Sequence, residues 1–237
     1  MSNNPDLVLH WFPGTCSRVS LVALEETGAP FEARLVPRGD ADAMETYTRD
    51  VNPKGKVPAL VSDGRVITEN TAIVTYLDRV FPDAKLLPSD PDTNLDALMM
   101  MSWFAAGIHP MINKSRFPIH TSAVPESFAS IKEIAVANLR DCFSQLEDRL
   151  SDGREWLFND WTAVDGYLLW LWFRAVGSGL TEKDAPLVDA LVRRCQERPS
   201  ATRALNREAE TEAALRAEGK VPDNMPPLMA GWLPEPA

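Results

Sequence analysis

Apolar positions change their spacing near residue 82. Ahead of it they fall in short runs: Leu7 to Phe12, Phe31 to Val36, Ala59-Leu60-Val61 and Val66-Ile67-Thr68. Runs of that length, bounded by Pro, Gly or Asp, read as strands. Between them, Val19, Val22, Ala23 and Leu24 follow a helical period that Gly28 ends as a C-cap. Residues 38–50 are polar, with a short helix expected from Ala41 to Tyr47. Asp63-Gly64, set between two short runs, predicts a two-residue hairpin. Ile73, Val74, Leu77 and Val80 then predict a helix that stops at Phe81-Pro82. The order is strand, helix, strand, short helix, strand, strand, helix, which makes a small α/β unit over 1–83.

Beyond it, 82–92 (PDAKLLPSDPD) is a Pro- and Asp-rich connector, and everything after it has a helical period. Leu95 to Ile108 reads as a helix bent or stopped at His109-Pro110, and 113–124 as a loop. Pro125 opens the next helix, with an apolar stripe of Phe128, Ile131, Ala135, Leu139, Cys142, Phe143, Leu146 and Leu150. Thr162-Ala163-Val164-Asp165 has the form of a capping box. The helix it opens, Tyr167 to Val176, is apolar on most sides and is the expected buried centre of an all-helical domain over 92–220. Two more helices are expected near 185–197 and 201–217. Residues 221–237 form a Pro-rich tail that no regular helix accommodates.

Composition narrows the function classes. The 237 residues carry a formal net charge of −10, which argues against nucleic acid and anionic membrane surfaces as partners. No apolar run of membrane-spanning length stands out, and the start lacks the pattern of a secretory signal. Three widely spaced Cys form neither a disulfide framework nor a zinc pattern, and the three His show no metal spacing, so no metal site is expected. A reducing, cytoplasmic setting is the expectation.

Candidate chemistry gathers at three places. Cys16 follows a strand and a Pro-Gly turn and opens a helix. Amides and dipole there favour an anion, either the Cys16 thiolate with a lowered pKa or the thiolate of a bound ligand. Thr15 and Ser17 add hydroxyl donors for the second role. Val57-Pro58 stands where a loop enters a strand; the bond is a candidate cis peptide, and the Val57 backbone is placed to pair with an extended peptide. Glu69, Asn70 and Thr71 offer a carboxylate and helix-start amides for a ligand carrying both ammonium and carboxylate groups. Lys56 stands beside this place as a partner for a carboxylate. His109, at a helix end, is placed to act on a bound thiol or electrophile. Cys142 and Cys195 fall on apolar stripes and read as core.

These residues together resemble the cytosolic glutathione transferases over nearly the whole chain. Asn52 to Leu60 (NPKGKVPAL) resembles that family's N-P-x-G-x-V-P-x-L segment, whose Pro is cis. Thr68 to Ile73 (TENTAI) resembles its acidic residue followed by Ser, with Asn70 in the Ser place. Thr162 to Asp165 resembles the capping box of its second domain, although Gly166 stands where an apolar residue would form a staple with Trp161. Pro13 to Ser17 (PGTCS) is similar to the bacterial beta class.

The resemblance implies a thioredoxin-like N-terminal domain followed by an all-helical one, with glutathione as cofactor. It implies Cys16 as the active-site Cys, with Ser17 or Thr15 as alternative thiol-activating groups. Val57 and Pro58 would hold the cysteinyl backbone, Glu69 and Asn70 the γ-glutamyl end, and Lys56 the glycine carboxylate. His109 and Phe12 would face a small hydrophobic, aromatic electrophile. The expected reaction is attack by the glutathione thiolate, in conjugation or in displacement of an aryl ether or halide, serving detoxification or aromatic catabolism. Met99, Met100, Met101, Trp103, Trp170 and Trp172 are read either as core or as the wall of an aromatic pocket. The rivals are a thiol–disulfide oxidoreductase acting through Cys16 and a non-catalytic glutathione-binding protein. A homodimer is implied, and the tail is a candidate lid.

Overall fold

The computed structural model describes residues 5–221, so the Pro-rich tail lies outside the described residues apart from its first position. Two compact units are present. One comprises the chain up to Leu86 together with the segment from Gln196 on; the other is Leu87–Cys195.

The first unit is built on a four-stranded sheet of order β2-β1-β3-β4, from β1 (Leu7–Trp11), β2 (Glu32–Leu35), β3 (Ala59–Ser62) and β4 (Arg65–Thr68). β1 runs parallel to β2, with Trp11 opposite Leu35. β3 is antiparallel to both β1 and β4, with Ala59 opposite His10 on one side and Thr68 on the other. The expected hairpin is present: Asp63 and Gly64, at φ 46° and 80°, supply the two positive φ angles that a type I′ turn requires. Helices α1 (Ser17–Thr27), α2 (Ala41–Asp50) and α3 (Asn70–Val80) connect and cover the strands. α1 is buried on nearly every side, from Ser17 through Glu25. This is the thioredoxin-like arrangement implied by the sequence.

This register decides where the site forms. With β1 and β2 parallel and β3 and β4 alternating against them, one edge of the sheet collects four segments. They are the residues after β1, those after β2, those before β3 and those after β4. Phe12–Cys16, Val36–Arg38, Val57 and Glu69 therefore emerge together, although 57 residues separate Phe12 from Glu69 in the chain.

The second unit consists of α4 (Pro91–Trp103), α5 (His109–Arg116), α6 (Phe128–Leu150), α7 (Ala163–Val176) and α8 (Pro186–Gln196). α7 is the buried centre: every residue from Ala163 to Phe173 is buried. Its capping box forms, with Asp165 accepting from the Thr162 amide at 2.8 Å.

Three sequence expectations are corrected here. The helix does not stop at His109-Pro110: a π-helical turn, Phe104–Ile108, joins α4 to α5, and residues 113–116 are helical rather than loop. The wider turn accommodates the missing Pro110 N–H and the bulk of its ring, and the Trp103 ring lies where a Cβ on Gly107 would be, 2.8 Å away. The continuous stretch Pro91–Arg116 reaches membrane-crossing length and apolarity by composition, which the sequence pattern had not suggested. The last helix, α9 (Pro199–Ala217), falls in the first unit and not in the helical one, because it packs along α1, with both apolar and charged residues buried.

The aromatic-pocket reading of Trp170, Trp172 and Met101 also fails. All three are buried core, with Trp172 against Phe143 and its indole N–H donating to Asp189 at 2.9 Å. Met100 and Trp103 are half-buried and Met99 is exposed. Cys195 is buried as expected; Cys142 is half-buried, at the margin of the α6 stripe.

Candidate active site

The turn from Phe12 to Cys16 is shaped by its own polar groups. Gly14 takes φ 72°, a value that favours glycine. The Thr15 hydroxyl donates to the Phe12 carbonyl at 2.7 Å and lies 2.7 Å from the Ser17 hydroxyl, which in turn accepts from the Phe12 amide at 3.2 Å. Every polar atom of this small circuit is used to hold the turn. Ser17 is fully buried, so its hydroxyl serves the loop and does not face a ligand, contrary to the expected thiol-activating role. Thr15 remains half-exposed at the rim.

Cys16 is the N-cap of α1. Its Sγ–H donates to the Val57 carbonyl at 3.3 Å, and the Asn70 side chain donates to the Cys16 carbonyl at 3.0 Å. The expected lowering of its pKa is overturned. Burial pushes the thiol up to about 11, outweighing its own amide, the Arg38 charge and Asn70, all of which pull it down. A helix-end field is worth at most about 1–2 kcal/mol, roughly one pKa unit, whereas burial shifts reach 3–5 units.

Val57 sits outside the strand ladder, two residues before β3, and the Val57-Pro58 bond is cis, as expected. The residue before it is pinned from below: the Tyr47 hydroxyl and the Asn52 amide both donate to the Lys56 carbonyl at 2.7 Å. Tyr47 and Val57 pack with Val36 in a small core that also takes up Phe12, Met44 and Val51. The Lys56 side chain is exposed. The lysine that engages the acidic residue is its neighbour Lys54, paired with Glu69 and donating to the Thr68 hydroxyl at 3.0 Å.

Glu69 is the N-cap of α3 and holds φ 70°, ψ 128°, a backbone conformation that costs a non-glycine residue of order 1–3 kcal/mol. Its side chain is 71% exposed, so nothing in the core explains the strain. The effect is to aim the carboxylate and the first amides of α3 outward, beside Val57. Asn70, by contrast, is buried and committed: besides Cys16 it accepts from the Ser20 hydroxyl at 2.8 Å. Its side chain therefore ties α3 to α1, and what it offers a ligand is its backbone N–H.

Arg38 was not found from the sequence. Its guanidinium lies 4.8 Å from the centre of the Phe12 ring and its charge acts on the Cys16 thiol. No local motif marks it; only the parallel pairing of β1 with β2 brings the residues after both strands to one edge. His109 lies in the second unit, edge-on to Trp170 with ring centres 4.6 Å apart. Phe12, Thr15, Cys16, Val57, Pro58, Glu69 and Asn70 are thus gathered at the sheet edge of the first unit, with Lys56 exposed beside them. Among the described residues no group of three or more His, Cys, Asp or Glu is placed to hold a metal.

Such an edge offers an extended peptide one backbone partner at Val57, a carboxylate at Glu69 and open amides at the start of α3, next to a helix terminus that favours a thiolate. Comparison with known proteins gives the family. Residues 14–80 match the profile of the "Glutathione S-transferase, N-terminal domain". Glutathione S-transferase GST-4.5 of Xanthomonas campestris is 30% identical over 221 residues, covering 89% of this chain and 98% of that protein. A probable maleylacetoacetate isomerase of Caenorhabditis elegans is 34% identical over 113 residues, 48% of this chain, and the match spans about half of that relative, 52%. Among solved structures, a sphingomonad glutathione S-transferase complexed with glutathione is 29% identical, with a TM-score of 0.73 over 85% of this chain and 98% of that one.

Proposed function

The chain belongs to the glutathione S-transferase family, and from that premise we propose that it binds glutathione at the Val57–Glu69 edge and uses the glutathione thiolate against a small, hydrophobic electrophile. The strained backbone of Glu69 carries this reading, because it turns an exposed carboxylate, paired with Lys54, and the helix-start amides outward at the sheet edge. Glu69 takes the ammonium of the γ-glutamyl group, the α3 amides take its carboxylate, and Val57 pairs with the cysteinyl backbone. Lys56 and Arg38 are cations of the same edge, not engaged with Glu69 as Lys54 is, for the glycine carboxylate. The ligand thiol then lies at the start of α1, where the helix terminus favours its ionised form.

In the reaction the thiol proton passes to solvent, a sulfur–carbon bond forms and the leaving group departs with its electron pair. Aryl ethers and aryl halides satisfy that balance. Burial raises the Cys16 thiol to about 11, which favours the ligand's thiol over Cys16 as the nucleophile. A cytoplasmic, reducing setting accords with three free thiols. α4 exposes Leu95 and Met99 on one face, which supports a homodimer.

The nematode relative's name favours one second reading, a glutathione-dependent isomerisation. There the thiolate adds to a conjugated cis double bond, the resulting single bond rotates, and elimination returns glutathione and the trans product. The two readings differ in whether glutathione is consumed.

Calorimetric titration of reduced glutathione into wild type and Glu69→Ala tests the shared premise. Binding at millimolar Kd or tighter is expected, weakened about 10- to 100-fold in the variant, the usual loss for a charged hydrogen bond. Equal binding by both proteins would remove Glu69 from the site. If wild type binds, glutathione balance is followed with an aryl halide, an aryl ether and a cis-enedioate ester.

A further inference from the structure

Two residues beyond Cys16, Arg18 points away from the ligand edge and into the protein. Its Nε and Nη2 both donate to one oxygen of Glu208 on α9, at 3.1 and 2.6 Å, and both side chains are fully buried. Removing two charges from water is expensive, and buried ion pairs are commonly no better for stability than apolar side chains of the same size. The pair is also not alone in attaching α9. Farther along α1, Glu25 accepts from Arg203 at 2.7 Å and Arg207 at 3.0 Å, and Glu26 pairs with Arg198 and Ser200. What distinguishes Arg18–Glu208 is its place at the first turn of α1.

That turn is held by its own backbone bonds and clamped from two directions. The Arg18 amide donates to the Thr15 carbonyl at 3.1 Å and the Val19 amide to the Cys16 carbonyl at 3.2 Å, so Arg18 lies within the backbone bonds that form the Cys16 turn. From α3, Asn70 holds the Cys16 carbonyl and the Ser20 hydroxyl. From α9, Glu208 holds Arg18. We propose that Arg18, anchored by Glu208, is a positioning residue for Cys16: the buried pair sets how deeply the first turn of α1 seats the thiol against Val57, and thereby keeps it unreactive.

The pair acts by position, since Glu208 sits directly on the Arg18 charge. The charged groups that act on the thiol are Arg38, from the segment after β2, and Glu69, from the start of α3. The ionised groups of α9 nearest α1, Glu208, Arg203 and Arg207, are matched by Arg18 and Glu25 on α1 itself. Burial is the largest influence on the thiol, so loosening its seat lowers its pKa and speeds its reaction.

The test is site-resolved alkylation of Cys16 by iodoacetamide, followed by mass spectrometry from pH 6 to 11, in wild type and Arg18→Met/Glu208→Leu. The double variant removes both charges together and leaves none unpaired. Its circular dichroism is expected to match wild type, while Cys16 titrates at least one unit lower. At pH 8 alkylation is then about threefold faster per unit, a tenfold gain in thiolate offset by its weaker nucleophilicity. An unchanged pH profile and rate would overturn the proposal, because a purely structural pair moves neither. Should the double variant fail to fold, Arg18→Lys keeps the charges but has one nitrogen in place of two; a rate at least twofold above wild type supports the proposal and an equal rate overturns it. The inference rests on reading the Cys16 turn as the reactive end of the site. The alkylation uses no glutathione, so a failure to bind glutathione is read separately.

Discussion

At the scale of single residues, Cys16 shows how one property is legible in sequence and another is not. Its place after a strand and a Pro-Gly turn was readable, and so was the helix it opens. Its ionisation was not, because it depends on distant partners, among them Val57 and Asn70, 41 and 54 residues away. At a pKa near 11 only about one molecule in ten thousand carries a thiolate at pH 7. If the ligand's thiol is the nucleophile, Cys16→Ala keeps glutathione conjugation with an aryl halide within about threefold of wild type. A loss of a hundredfold or more, in steady-state rates at saturating glutathione, would return the nucleophile's role to Cys16. Ser17 shows the complementary case. Its hydroxyl type suggested chemistry, yet its partners are Phe12 and Thr15, and that pairing is fixed by a tight turn. Ser17→Ala leaves the Phe12 amide without its acceptor, a loss of about 1–3 kcal/mol. A melting temperature lowered by about 2–10 °C is expected, with glutathione affinity retained.

At the scale of elements, strands and helices followed from apolar spacing, since each has one face that must be buried. The four strands, the hairpin and α7 were all legible for that reason. The continuation of α4 into α5 was hidden, because Pro110 looks like a stop unless the preceding turn is known to be π-helical. The assignment of α9 was hidden as well: its contacts with α1 include charge pairs 172 to 190 residues apart in the chain, and charges on a helix look alike whether solvated or paired. The capping box was legible in type and in consequence. Asp165 accepts from the amides of Thr162 and Leu157, at 2.8 and 2.9 Å, inside the buried start of α7. Asp165→Ala strands both donors and is expected to cost about 3 kcal/mol, several degrees in melting temperature. Burial raises this carboxyl to about 6 from an ordinary value near 4. Between those two values the folded protein holds a proton that the unfolded chain has released. The stabilisation by Asp165 therefore falls as pH rises through that window. Urea unfolding of wild type and variant should show a larger difference at pH 4.5 than at pH 7.5; a difference that grows with pH would show the box is held by the ionised carboxylate.

At the scale of the whole molecule, the question is what covers the apolar face of α4. Leu95 and Met99 stand one turn apart on the same face and are 57% and 61% exposed, within a helical stretch whose composition would suit a membrane. A second copy of the chain is the partner the family reading supplies. Each copy carries a net charge of −10, so association works against mutual repulsion and must draw on apolar burial. Two consequences separate this from a solvated face. Added salt should strengthen the dimer by screening the repulsion, the opposite of an interface held by opposite charges. Leu95→Glu/Met99→Glu should dissociate it, since four carboxylates would meet in place of four apolar side chains. Because both residues face water in the single chain, the variant should fold normally, with wild-type circular dichroism and sedimentation as a monomer at micromolar concentration. A variant that sediments like wild type would place the contact elsewhere on the surface. A wild type that is already monomeric would leave the face to another partner.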